Sequence, residues 1–319
     1  MLGKDVLLHR RIHRTAMLVM VACSAAAMTV APAACSPLTP WDFNNPFAIT
    51  SPWREPIPAS PQIDPDSEEI IAHLQPEPRL PANLVEFAVP IYQVSAHTPT
   101  KVVTCTKDWG VCPFDGWRVP IPDGAAPNSG SDHSMITIDE SRALTFEFWQ
   151  AANNENHWST SWGAVNSLAG SGWGGVSTGS GASRLGGVIR LHEIANGEIP
   201  HALALQTNNA CRVFRPPALK SDGESDRPDC LPEGARLQLD PSLDLSTLGL
   251  PRGELAVATA MQQYGGYIMD QSGARLSVIF ELDRKAAPGS LGKTYRDAGF
   301  RWDYDAMEHV PWNKIRVLA

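Results

Sequence analysis

Three side chains on two neighbouring segments carry the most legible chemistry in the 319-residue chain: His133, Glu147 and Trp149. They lie in the alternating runs His133 to Asp139 and Leu144 to Gln150, joined by the polar turn Glu140-Ser141-Arg142. Two such runs are expected to pair as a β-hairpin. Sheet periodicity then assigns Ile136, Ile138, Leu144, Phe146 and Phe148 to the core face. With Asp139 opposite Ala143, the outer face gathers Thr137 against Thr145, Met135 against Glu147 and His133 against Trp149. An imidazole and a carboxyl group beside an exposed indole suit a saccharide, because the ring stacks on pyranose CH groups while the polar pair handles hydroxyls or protons. In a glycoside hydrolase Glu147 would be the acid or base, His133 its proton-transfer partner, and Asp139 the second carboxylate required about 5–10 Å away.

Trp158 and Trp162 flank Thr160 with period two and extend the aromatic surface. Arg190 and His201 are read as substrate contacts at a sheet edge. A polysaccharide lyase would instead neutralise a uronate with Arg190 and abstract the proton with His133, Tyr264 or Tyr267. Gly175-Val-Ser177-Thr-Gly179 has the spelling of a nucleophile elbow, which needs a strand before it and a helix after it. Glycine and serine flank it on both sides, so it reads as a loop beside the groove. Asp222, Glu224 and Asp226 alternate in a loop as the first ligands of calcium loops do, with no far-end bidentate carboxylate. Calcium is the only cofactor the sequence suggests.

The elements that must position these groups are mostly strands. Runs bounded by Pro, Gly and Asp occupy Val85 to Val94, Lys101 to Cys105, the two hairpin segments, Val188 to Leu191, Ala202 to Gln206, Ala235 to Leu239, Gly266 to Asp270 and Arg275 to Leu282. One short helix starts at Asp66-Ser67, and a longer one runs from Pro251 to Gln263, before Gly265. The expected fold is all-β, a jelly-roll-like antiparallel β-sandwich with one or two short helices.

Lys4, Arg10, Arg11 and Arg14 precede a nearly uncharged stretch, the form of an export signal over residues 1–34. Residues 35–65 read as a proline-rich tether and extended arm anchored by Trp53, and 66–319 as a single domain. Cleavage follows Ala33 or makes Cys35 a lipidated first residue. The second choice leaves an even set, Cys105, Cys112, Cys211 and Cys230, expected as two disulfides between sequence neighbours in an oxidising space. Removing the signal's four basic residues and Asp5 from the 26 and 34 in the chain leaves a net charge near −11. That excludes a nucleic-acid footprint and favours neutral ligands.

The strings Ser51-Pro-Trp-Arg-Glu-Pro-Ile-Pro58, Gly187-Val-Ile-Arg190 with His201-Ala-Leu203, Leu231-Pro-Glu-Gly-Ala-Arg236 running to Leu239-Asp-Pro-Ser242, and Gln263-Tyr-Gly265 resemble a widespread, largely uncharacterised group of secreted bacterial proteins. The resemblance implies an extracellular β-rich fold similar to jelly-roll carbohydrate-active proteins. The expectation is an extracellular glycoside hydrolase or polysaccharide lyase acting on a poly- or oligosaccharide. The alternative is a non-catalytic glycan- or wall-binding lipoprotein held to the membrane by its lipid anchor.

Overall fold

Period-two alternation sends neighbouring side chains of a strand to opposite faces, and both faces of both large sheets are apolar here. The computed structural model describes residues 41–74, 79–155 and 157–319, so the export signal and Cys35 lie outside the described residues. The larger sheet has six strands in the order Ala82–Asn83, Ser277–Ile279, Leu203–Thr207, Gly266–Gln271, Arg236–Leu239 and Ile315–Val317. The second has four: Trp162–Ser167, Leu144–Trp149, Met135–Asp139 and Ile91–Val94.

Three buried clusters separate the layers. Leu203, Leu205, Ile268 and Val278 pack against the helix Arg252–Gln263 through Ala256, Val257 and Met261. From the other face of the same sheet Ala204, Tyr267, Met269 and Ile279 join Ile91, Ile136 and Ile138 of the four-stranded sheet. The remaining face of that second sheet, with Tyr92, Met135, Phe146 and Phe148, is covered by Phe114, Val119, Ile121 and Trp158. Each large sheet is therefore an inner layer.

The protein is built mostly of strands in several sheets, as the sequence predicts, but the sheets are mixed rather than antiparallel. Ile91–Val94 runs parallel to Met135–Asp139, and Leu203–Thr207 parallel to Gly266–Gln271. Parallel neighbours need long crossovers, which residue alternation cannot reveal. The described residues hold four α-helices, two more than expected; Leu191–Asn196 replaces the end of the strand read at Val188 to Leu191. No helix among the described residues is long and apolar enough to cross a membrane.

The proline-rich arm packs into the inter-sheet cluster. Phe47 and Trp53 are each 1% exposed, and Trp53 lies flat on Trp173 with ring centroids 5.1 Å apart. Two disulfides, Cys105–Cys112 and Cys211–Cys230, join the expected neighbours, in keeping with export into an oxidising space. On the loop-entropy model the longer closure contributes about 3 kcal/mol. Replacing Cys211 and Cys230 by serine should lower the thermal midpoint by roughly 6–12 °C, read by circular dichroism; an unchanged midpoint would show that the bond holds nothing.

Candidate functional site

The hairpin forms one residue away from the expected register. Asp139 lies opposite Leu144, Thr137 opposite Phe146 and Ile136 opposite Glu147. The turn is longer by Ala143, which takes φ +56°. An odd slip exchanges partners between faces. Glu147 therefore shares its face with Ile136, while Asp139 points to the opposite face with Leu144.

Glu147 has no exposed surface. Its carboxylate accepts from Thr145 Oγ1 at 2.8 Å, Ser177 Oγ at 2.6 Å, the Arg184 backbone N–H at 2.7 Å and the Ser183 hydroxyl. A carboxylate so held clamps the segment from Ser177 to Arg184 against the sheet, and no substrate reaches it. Asp139 closes the hairpin turn, accepting from Ser141 Oγ and from Arg142 Nε, both at 2.6 Å. Burial alone would raise its pKa, but these donors outweigh it and hold it low. His133 precedes the strand at φ +38°, exposed, with Nδ1 3.2 Å from the Asn128 carbonyl oxygen. The expected triad of His133, Glu147 and Asp139 is thus dispersed.

The aromatic part of the expectation leads to a groove. Trp149 and Trp162 are cross-strand partners, one pleat beyond Glu147 on the same face, where the four-stranded sheet ends. Trp109 stands on the Cys105–Cys112 loop and is 60% exposed. It stacks on Trp149 at 5.7 Å and 16°, and tilts against Trp162 at 5.8 Å. Facing these indoles are Asp132, Arg184, Asp222 and Asp270, around a groove of about 260 Å³. A larger hollow of about 700 Å³ beside Asp283, Arg284 and Lys293 is lined by no Trp, Tyr or Phe among the described residues.

The Gly/Ser loop forms one wall. Ser177 is a donor to Glu147, and Arg184 is 3.9 Å from Asp270. The Gly179 N–H donates to Asp270 Oδ1 at 2.9 Å. A Cβ on Gly179 would come within 2.4 Å of the Asp222 carboxyl group, so this glycine allows loop and carboxylate to meet. The segment with the spelling of a nucleophile elbow is thus a loop that walls the groove, as its glycine and serine flanks imply.

Behind that wall the carboxyl groups of Asp222, Asp270 and Glu233 each offer one oxygen within 4.8 Å of the others. Asp270 is 13% exposed and Glu233 fully buried. Burial, reinforced by Asp222 and Asp270, pushes Glu233 up to about 10. Burial also raises Asp270 to about 7, against the pull of Arg184. Of the calcium ligands expected from the sequence only Asp222 enters this cluster. Glu224 is exposed, and Asp226, also exposed, pairs with Arg212 at 2.9 Å.

Other expected contacts lie away from the groove. Trp158 is a core residue packed on Phe148, because Ser161 ends its strand before Trp162 begins the next. Tyr267 is wedged edge-on against Trp53 and Trp173, and Tyr264 packs beside the same cluster. Arg190 is buried, bound to Glu281 at 2.8 Å and to the Phe43 carbonyl at 2.9 Å. His201 lines the same small recess as Arg190 and pairs with Glu193 at 3.0 Å.

Burial works against a charged His201 and Arg190 opposes it, but Glu193 and the Ala202 carbonyl prevail and its pKa is raised. Stability from this pair is fully present below the unfolded value of about 6.5 and is lost as pH rises through the raised folded value. A His201→Gln variant should flatten that slope in midpoint-versus-pH curves; identical slopes would sink the assignment.

Sequence reasoning missed Trp109, Asp132, Arg184, Glu233 and Asp270. An indole between two closely spaced cysteines was a usable signal for Trp109. No local pattern marked the acids. Compared with protein families, curated proteins and solved structures, the chain matches none. The site's chemistry therefore rests on its own geometry: three indoles, of which Trp109 is the exposed one, beside carboxyl groups and the buried Arg184.

Proposed function

We propose that this chain is an exported glycan-binding protein that holds a saccharide in the groove between its two disulfide-closed loops. The supporting observation is the meeting of Trp109, Trp149 and Trp162 with Asp132, Asp222, Asp270 and Arg184 around one open groove. Flat apolar rings beside a few fixed polar groups suit a ligand with CH-rich faces and hydroxyl edges. The net charge near −11 favours neutral sugars over polyanions.

Recognition without turnover is the better-supported reading, because the carboxyl group assigned to proton transfer, Glu147, is sealed by four donors. A lipid on Cys35 would keep such a binder at the cell surface. The test is retention of the purified mature chain on a panel of insoluble and soluble polysaccharides, with reducing and unsaturated ends assayed in parallel. Retention on a neutral polysaccharide without release of ends is expected. No retention anywhere sinks the glycan reading, and release of ends restores the hydrolase or lyase reading.

A further inference from the structure

Glu233 is a carboxyl group whose polar neighbours are two other acids, Asp222 and Asp270. It is fully buried, and among the described residues neither carboxyl oxygen has a hydrogen bond of ordinary geometry. Leaving a buried polar group unpaired is costly, and more so for a charged one. A side chain in that position calls for an explanation in its surroundings. What surrounds it are two further carboxyl groups, those of Asp222 and Asp270. The three come from separate segments: Asp222 from the Cys211–Cys230 loop, Glu233 from the strand Leu231–Glu233, and Asp270 from the strand Gly266–Gln271.

We infer that Asp222, Glu233 and Asp270 form a calcium site at the floor of the groove. Oxygen-only ligands select hard cations such as calcium, magnesium or manganese. Calcium oxygens lie at about 2.3–2.6 Å, so two on opposite sides of one ion are about 5 Å apart. Oxygens that all lie within 4.8 Å of one another can therefore share one ion. Calcium also takes six to eight ligands in flexible geometry, so three carboxylates leave positions open. Asp222 and Asp270 also line the groove, which puts those open positions within reach of a ligand lying there. Vicinal hydroxyl groups of a saccharide are suited to fill them, a consequence that rests on the glycan-binding reading above.

The experiment uses the full mature chain, stripped with chelator and titrated with calcium chloride or magnesium chloride in a calorimeter, with thermal unfolding in parallel. One calcium per chain is expected, at a Kd of about 10⁻³ M or tighter, with a higher midpoint in calcium. Glu233→Gln and the exposed-site variant Asp222→Asn should each weaken calcium at least tenfold while remaining folded without it. Absence of heat and of any midpoint shift at 10 mM calcium overturns the site. So does unchanged affinity in Glu233→Gln, or a clear preference for magnesium. Polysaccharide retention is then measured with calcium and with chelator. Retention only in calcium supports both readings; calcium binding with no retention in either condition keeps the site and removes the glycan reading. Retention without any calcium binding does the reverse.

Discussion

Trp109→Ala should reduce glycan affinity about 30-fold while leaving the thermal midpoint within a degree or two of the parent. The magnitude is that of an aromatic anchor at the centre of a contact, about 2 kcal/mol or more on truncation. Stability should hold because Trp109 is 60% exposed on a short loop whose ends the Cys105–Cys112 bond fixes. Trp149→Ala should lose at least as much affinity and also some stability, since this residue is half-buried and its indole donates to Asp132 at 3.3 Å. Affinity electrophoresis in gels containing the retained polysaccharide gives both values. Unchanged migration of Trp109→Ala would mean that the ligand binds elsewhere.

Glu147→Ala should cost about 3–5 kcal/mol of stability, the range for deleting one partner of a buried charged network. For a domain of this size that lowers the midpoint by roughly 10 °C. The loss comes from the donors left behind: the Arg184 backbone N–H cannot turn away, whereas the hydroxyls of Thr145, Ser177 and Ser183 can rotate. Glu147→Gln should be milder. Its amide nitrogen can sit at the Oε1 position, where Thr145 and Ser183 both offer hydroxyls able to accept, and its oxygen still receives Arg184. Because the clamped segment forms a groove wall, Glu147→Ala should also weaken glycan retention, and Glu147→Gln should largely preserve it. A catalytic carboxylate would give the opposite pattern, with stability kept in both variants and turnover lost in both.

Local patterns in the sequence were sufficient for the local features. Most strand runs, though not Val188 to Leu191, the helix after Pro251, the two disulfide pairs and the aromatic character of the hairpin's end all depend on residues near one another in the chain. Trp149 and Glu147 do share a sheet face, because alternation within a single strand survives any change of register. Cross-strand register was decided by the tertiary structure. The inference from apolar residues needs one wet face, and both faces of this sheet are buried, Phe146 and Phe148 on one side and Ile136 and Ile138 on the other. With no polar face to set the phase, the turn at Ala143 decided it, and Glu147 was drawn inward to hold a loop more than thirty residues away in sequence. The acids share that long-range origin: Asp132, Asp222, Glu233 and Asp270 sit on separate segments, and only the tertiary fold brings the first, second and fourth to the groove and the last three to one cluster. Spacing along a chain encodes a hairpin or a helix cap; it cannot encode which distant carboxylates will share one buried space.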